Sequence, residues 1–187
     1  LESMGIEGSF RPGGYVPVRL EIRNRLEKPT PVQIVFEVLN NDGDIEQYSR
    51  AAVLSPGQPT LKWLYPVLPP SSAVSQLVRK AFTVRVYEDD DGDFGRELAS
   101  WMVDATGANR PGQPVEMTED LLVIVGDGSL GLNAYEGMNN AKFPLPSLNQ
   151  RTVVVNTTPQ GLPDDPRGYL GIDVMVWSDA DPADLGL

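Results

Sequence analysis

The sequence contains neither cysteine nor histidine. Without cysteine there can be no disulfide, no thiolate nucleophile and no cysteine-based zinc or iron–sulfur site. Without histidine there can be no Ser-His-Asp triad, no imidazole base and no histidine metal ligand. Any chemistry must rest on carboxylates, Lys, Tyr, Ser or Thr, or be supplied by another chain. We therefore predict that this chain is not an enzyme.

Long apolar runs and basic clusters are missing as well. No run of about 18 apolar residues is present, and no basic segment precedes a shorter one, so we expect neither a membrane span nor a signal peptide in this segment. The 26 acidic against 15 basic residues give a formal net charge of -11. Such a field repels phosphate backbones, and this excludes nucleic acid as a partner.

The first half of the chain alternates apolar and polar residues in short segments separated by Pro, Gly and Asn turns. Alternation of this kind predicts antiparallel strands with one buried face. The predicted strands lie within Phe10–Asn24, Val32–Leu39, Gln47–Leu54, Thr60–Leu68, Ala81–Glu88 and Arg96–Val103. Six or seven short strands at roughly ten-residue spacing are typical of an immunoglobulin-like or fibronectin III-like β-sandwich.

The pattern changes near residue 115. Leu121–Asp127 begins with five aliphatic residues and ends at a Gly turn, which favours a strand buried on both faces, as in a parallel sheet. Thr152–Val155 and Ile172–Trp177 are two further aliphatic strands, and Asn133–Ala141 is a weak candidate helix. We predict a partial α/β domain with a parallel sheet of the amidotransferase-like or flavodoxin-like type.

The predicted organisation has two domains. Residues 1–105 form the antiparallel β-sandwich, residues 106–117 the linker, and residues 118–187 the partial α/β domain. Because a three-stranded sheet lacks covering helices, we expect the remainder of a longer chain, or a protein partner, to complete it. The three tryptophans are predicted to be core or interface residues: Trp63, Trp101 and Trp177.

The order of several segments resembles the extracytoplasmic region of large bacterial envelope proteins, in which a β-sandwich precedes a domain similar to class I glutamine amidotransferases. The segments are GSFRPGGYVPVRLEIRN, SPGQ, DDDGD, LLVIVGDGSLGL and LPDDPRGYLGIDVMVWSD, and the match spans residues of about 5 to 185. Its most specific segment is Leu162–Asp179, with Leu162, Pro163, Gly168, Tyr169 and Asp173 before the strand. The catalytic Cys and His of true amidotransferases do not exist in this chain. The resemblance implies a fold, a location in the cell envelope or periplasm and a membrane anchor outside this segment, and it implies no reaction.

Three groups of residues are candidate sites. Gly126, Gly128 and Gly131 form a G-x-G-x-x-G after a buried strand, the pattern in which backbone N–H groups hold a pyrophosphate. Its alternative interpretation is an ordinary glycine turn at a strand end, which the carboxylate of Asp127 and the weak following helix favour.

A second group surrounds Gly92 and contains the carboxylates Asp89, Asp91 and Asp93, with Glu88 and Asp90 beside them. Clustered carboxylates repel one another unless they are solvated or bridged by a hard cation such as Ca²⁺. The spacing does not fit an EF-hand loop. The sequence therefore favours a solvated hairpin tip over a calcium site.

A third group of carboxylates is expected near the carboxyl ends of strands: Asp164, Asp165, Asp179, Asp181 and Asp184. A carboxylate pair there could do acid–base work, but helix capping and solvation explain the same residues.

We predict a non-catalytic structural or protein-interaction module of a bacterial cell-envelope protein, without a cofactor. One alternative is a ligand-binding or enzymatic α/β domain with its site at the strand carboxyl ends. The other is a calcium-dependent adhesion module.

Overall fold

The computed structural model describes residues 1–40, 42–70, 82–103, 112–136, 151–179 and 181, and the structural statements below concern these residues. They form mostly β-structure. The strands are β1 (Ser3–Met4), β2 (Ser9–Phe10), β3 (Val18–Arg23), β4 (Thr30–Leu39), β5 (Ile45–Leu54), β6 (Pro59–Leu64), β7 (Phe82–Asp90), β8 (Asp93–Val103), β9 (Gln113–Pro114), β10 (Asp120–Val125), β11 (Thr152–Thr157) and β12 (Val174–Trp177).

The described residues between 1 and 103, here called the antiparallel region, contain two antiparallel sheets. One sheet has the order β1-β3-β6 and the other the order β5-β4-β7-β8. In β4 the alternating residues Val32, Ile34, Phe36 and Val38 all point into one core. The same core receives Val18 and Leu20 from β3, so the two sheets pack face to face. The predicted antiparallel sheets are confirmed.

The observed strand bounds differ from the predicted ones, most of all in two segments. The segment Phe10–Asn24 divides into β2 and β3, since Pro12, Gly13 and Gly14 turn the chain and Pro17 directly precedes β3. The strand predicted over Thr60–Leu68 ends at Leu64, and beyond it Val67 forms a single bridge with Tyr15. Ala81 lies outside the described residues.

The small parallel sheet has the order β11-β10-β12, and β10 pairs in parallel on both sides. We call residues 115–181 the parallel region. Val123 and Ile124 point to opposite faces of β10, and both are completely buried. The parallel sheet and the burial of its central strand on both faces were predicted correctly from the aliphatic run.

The α-helices that an α/β domain requires are not shown. In the described ranges the only helices are short 3₁₀ turns: Leu132–Tyr135, Pro159–Gly161 and Pro166–Tyr169. The candidate helix Asn133–Ala141 overlaps the first of these turns, and residues 137–141 lie outside the described residues. Gly131, with φ +76°, precedes that turn, and no side-chain cap supports it. No helix among the described residues is long and apolar enough to cross a membrane.

The antiparallel and parallel regions both contribute side chains to one hydrophobic core. A second core lies on one face of the parallel sheet and contains Leu121, Val123, Val125, Val155 and Leu162 together with Ile6 from the antiparallel region. Within the predicted linker, residues 106–111 lie outside the described residues, and β9 pairs in parallel with β2. The chain segment that enters the parallel region is thus attached to the antiparallel region by backbone hydrogen bonds. The domain bounds stay a prediction.

Candidate site at the strand ends and the junction

The glycine loop after β10 is filled by the chain's own carboxylate. Asp127 and Gly128 donate their backbone N–H groups to Asp179 Oδ1 at 2.9 and 3.2 Å, and Ser178 Oγ donates to the same oxygen at 2.7 Å. These hydrogen bonds, that from Ser178 first, hold the pKa of Asp179 below its ordinary value. The donors that a phosphate would require are therefore engaged by Asp179.

Glycine is required at one position of this loop. Gly126 has φ +127°, and a Cβ there would lie 2.5 Å from Ser178 Oγ and 2.6 Å from Asp179 Oδ1. The loop and the chain after β12 thus pack against each other at the carboxyl ends of neighbouring strands. Gly131 stands apart: in the described part of the chain, no atom beyond its two chain neighbours lies within 4 Å of its Cβ position.

The second candidate group forms the tip of the β7–β8 hairpin. Asp91 and Gly92 both have positive φ, +54° and +99°, as in a two-residue Asp-Gly turn of the primed type. Asp89 Oδ1 accepts the backbone N–H of Gly92 at 2.9 Å and Gln33 Nε2 at 3.2 Å. Among the residues that the structure describes, no three acidic side chains come together as a metal site. Asp89 thus serves the turn, while Asp91 and Asp93 are exposed.

The third group divides between two places. Asp179 and the exposed Asp181 follow β12, Asp164 and Asp165 lie in the loop before it, and Asp184 lies outside the described residues. The described carboxylates before β12 and those after it are therefore not brought together as one acid–base pair. The structure pairs Asp164 and Asp165 with arginines instead.

Asp164 connects the parallel region to β5 and β6. Arg50 binds it in a bidentate ion pair, Nη1 to Oδ1 at 2.9 Å and Nη2 to Oδ2 at 2.7 Å, and Tyr65 Oη donates to Oδ1 at 2.6 Å. Burial acts to raise the pKa of Asp164, but the hydrogen bonds from Arg50 and Tyr65 outweigh it and the pKa is lowered. Burial, followed by the hydrogen bond to Asp164, raises the pKa of Tyr65.

Asp173 makes a second connection across the junction. Arg11 binds it in the same bidentate manner, Nη1 to Oδ1 at 3.0 Å and Nη2 to Oδ2 at 2.6 Å. Asp173 Oδ2 also accepts the backbone N–H of Leu121 at 2.7 Å, where β10 begins, and Arg11 Nη2 donates to the backbone oxygen of Glu119 at 2.6 Å. The hydrogen bond from Arg11 is the main cause of the lowered pKa of Asp173.

An open cleft of about 420 Å³ lies beside the Arg50–Asp164 pair. Its wall includes Arg167, whose guanidinium lies 5.1 Å from the ring centre of Tyr65 and binds Asp165 at 2.8 and 2.9 Å. Hydrogen bonds from Arg167 lower the pKa of Asp165 to about 2. Each of the two carboxylates is thus neutralised by its own arginine, and their lowered pKa values make them poor proton donors near neutral pH.

In Leu162–Asp179, the most specific segment of the sequence resemblance, the named residues stabilise the fold. Leu162 is buried in the second core, and Tyr169 Oη donates to the backbone oxygen of Pro163 at 2.6 Å. A Cβ on Gly168 would lie 2.3 Å from Pro163 Cβ, so the loop closes only around glycine. Asp173 holds Arg11 as described above.

Sequence reasoning missed the cationic halves of these pairs. Arg11 and Arg50 stand in segments that were interpreted only as strands and turns, 162 and 114 positions away from their carboxylates. Asp164 was a candidate, and Asp173 was named within the motif. The role of each tryptophan agrees with the prediction: Trp63 is buried, Trp101 packs on the first core and Trp177 packs on the second.

Comparison with known proteins gives little further information. No protein-family model matches the chain, and no curated protein matches it. Among solved structures it is similar to a cycloisomaltooligosaccharide glucanotransferase of Paenibacillus sp. complexed with cycloisomaltoheptaose, at 12% identity and a TM-score of 0.33. The match covers 73% of this chain and 17% of that chain. The likeness is that of a mostly-β region, and it is too distant to carry an argument about function.

Proposed function

We propose that this chain is a non-catalytic structural or protein-interaction module of a bacterial cell-envelope protein. In this proposal the antiparallel region is an immunoglobulin-like or fibronectin III-like sandwich, and the parallel region is a partial amidotransferase-like α/β domain. The sequence resemblance supports the family and the location outside the cytoplasm. The absence of cysteine and histidine supports the lack of catalysis.

One observation carries the proposal. Among the described residues, the candidate carboxylates Asp164, Asp165 and Asp179 are engaged in bonds within the chain, and Asp164 and the nearby Asp173 are each joined to an arginine of the antiparallel region. A bidentate arginine–carboxylate pair fixes orientation as well as distance. Two such pairs, together with the hydrogen bond from Thr157 Oγ1 to Glu7 Oε1 at 2.9 Å, tie the two regions to each other. A fixed relation between two β-units suits a spacer or an interaction platform.

The two alternatives need groups that are already occupied. A phosphate-binding loop requires the N–H groups of Asp127 and Gly128, which bind Asp179. A calcium site at the hairpin tip requires Asp89, whose Oδ1 accepts one hydrogen bond from the backbone N–H of Gly92 in the turn and one from Gln33 Nε2 of β4. Phosphate would have to displace Asp179 before it bound, and Ca²⁺ would compete with the two hydrogen bonds for Asp89 Oδ1.

Thermal unfolding in the presence of candidate ligands tests the proposal. We expect the melting temperature to stay within about one degree on addition of inorganic phosphate, ADP, Ca²⁺ or a chelator, because a ligand stabilises only a folded state that binds it. A rise of several degrees with phosphate or ADP would establish the ligand-binding alternative. A chelator-induced fall that disappears in the triple variant Asp89→Asn, Asp91→Asn, Asp93→Asn would establish the calcium-dependent one.

A further inference from the structure

The ion pairs between the antiparallel and parallel regions depend on two carboxylates. Asp164 accepts hydrogen bonds from Arg50 and Tyr65, and Asp173 accepts two from Arg11. In the described part of the chain, both ion pairs that join the two regions end on these aspartates. We call Asp164 and Asp173 the junction carboxylates.

The first core does not depend on charge. It is built from side chains of the antiparallel region alone. The ion pairs of Arg85 with Glu37 and Glu97 lie on the outward face of the four-stranded sheet, since Phe36 beside Glu37 points inward. The buried polar side chains in the described ranges do not titrate: Asn24, Thr30, Gln33 and Thr157. Protonation of carboxylates therefore removes nothing from this core.

The parallel region has few other described contacts with the antiparallel region. Its core receives one buried side chain, Ile6, from that region. The strands β2 and β9 pair over two residues, and Thr157 donates a hydrogen bond to Glu7. Arg11 and Arg50 stay charged at acid pH, so protonation of the junction carboxylates leaves two partly buried cations without their partners, which is destabilising.

We propose that acid releases the parallel region from the antiparallel region: protonation of both junction carboxylates opens the junction, while the antiparallel region keeps its fold. The opening is local because the two cores are built from different side chains. It exposes Ile6 and the face of the second core against which Ile6 packs. Near neutral pH the two regions keep the fixed relation described above.

The pH of release follows from the direction of two pKa shifts. The contacts described above lower the pKa of Asp164 and of Asp173 in the folded protein. Their stabilisation is therefore complete above the unfolded pKa of about 4, and it is lost as the pH falls through the lower folded values. We expect release below about pH 4.

The charged groups near Asp173 offer no replacement for it. Asp173 faces the guanidinium of Arg11, and Glu119 and Asp120 lie near the same guanidinium. Among the described contacts, neither of these two side chains is hydrogen-bonded to Arg11, and Glu119 Oε1 lies 3.7 Å from Arg151 Nη1 instead. Arg11 therefore loses its ion-pair partner when Asp173 is protonated.

The surroundings of Asp164 provide a matched control. The titratable groups that face Asp164 are one cation and two tyrosines: Arg50, Tyr65 and Tyr169. The adjacent Asp165 binds Arg167 with both oxygens, and these hydrogen bonds lower its pKa to about 2. Asp165 and Arg167 both belong to the parallel region, so this ion pair does not join the two regions.

The three tryptophans test the proposal in one NMR spectrum, because Trp63 and Trp101 lie in β6 and β8 and Trp177 packs on the second core. From about pH 6 to about pH 2, in about 0.15 M salt to screen general repulsion, the indole N–H resonance of Trp177 should move to its unfolded position. The resonances of Trp63 and Trp101 should stay in place. A single transition shared by all three tryptophans, or a Trp177 resonance unchanged at about pH 2, would overturn the proposal.

Substitution removes the same charges at neutral pH. In the double variant Asp164→Asn, Asp173→Asn we expect amide exchange in β10 to accelerate roughly a hundredfold, about tenfold for each lost ion pair, while exchange in β4 is unchanged. Asp165→Asn should leave exchange in both strands unchanged. Equal exchange in the double variant and in Asp165→Asn, or acceleration of β4 together with β10, would contradict release at the junction.

Discussion

The antiparallel and parallel regions are stabilised in different ways. In the antiparallel region the sheets cover each other, and their alternating side chains make one large core. In the parallel region a three-stranded sheet has a smaller core on one face, completed by Ile6 from the other region, and ion pairs to Arg11 and Arg50. The parallel region therefore depends on the antiparallel region for side chains that it does not itself contain.

The largest expected effect tests this dependence. Phe36→Ala removes a fully buried ring that lies 5.4 Å from the ring of Phe82, and it should lower the free energy of unfolding by about 3–5 kcal/mol. Since the parallel region depends on the antiparallel region, amide hydrogen exchange should accelerate in both. Leu121→Ala in the second core should cost about 2–4 kcal/mol and accelerate exchange mainly in β10, β11 and β12. Equal acceleration throughout in both variants would mean that the two regions are one cooperative unit.

A smaller effect is expected at the ends of the parallel strands. Gly126→Ala brings a methyl group against Ser178 and Asp179 and imposes a positive φ on alanine, so we expect a loss of about 2–3 kcal/mol. The matched variant Gly131→Ala also has a positive φ but open space around it, and about 1 kcal/mol is expected. Urea denaturation of both variants measures the difference. Equal losses would show that the loop accommodates a methyl group at residue 126 without crowding Ser178 and Asp179.

The loss of unfolding free energy at acid pH should reveal the contribution of the two ion pairs. The pKa values of Asp164 and Asp173 are lower in the folded protein than their ordinary value, so the stabilisation from both pairs is complete above the unfolded pKa of about 4 and is lost as the pH falls below it. Asp173→Asn should be less stable at neutral pH and lose less stability between about pH 5 and pH 3. If the unfolding free energy fell equally with pH in Asp173→Asn and in the unmodified chain, the Arg11–Asp173 pair would not be a cause of the loss at acid pH.

Elements with a clear local sequence pattern were predicted correctly, and elements without one were not. Alternation within Val32–Leu39 and the aliphatic run of Leu121–Val125 are local, and they predicted an antiparallel and a parallel strand correctly. The helices predicted by analogy with α/β domains had no comparable pattern: Gly137 and the Asn pair interrupt the one candidate.

The candidate site was predictable only to a limited extent. Asp164 and Asp179 could be singled out because acidic residues near strand ends are recognisable in sequence. Their partners could not, since Arg50 and Asp164 become neighbours only when the loop before β12 folds onto β5 and β6. The sequence marks carboxylates that look chemically available, and only the fold shows that Arg50 of the other region neutralises Asp164 and that backbone N–H groups of the glycine loop bind Asp179.

A double-mutant cycle on Arg11 and Asp173 measures how strongly this ion pair holds the two regions together. The pair is partly buried, with 17% and 35% of the two side chains exposed, and its two hydrogen bonds are charge-assisted. From Arg11→Ala, Asp173→Ala and the double variant, unfolding free energies should give a coupling of about 1–2 kcal/mol. The exposed pair Arg23–Glu21 is the control, and its coupling should be below about 0.5 kcal/mol. A coupling between Arg11 and Asp173 no larger than that of the control would contradict the claim that these carboxylates serve to hold the two regions together.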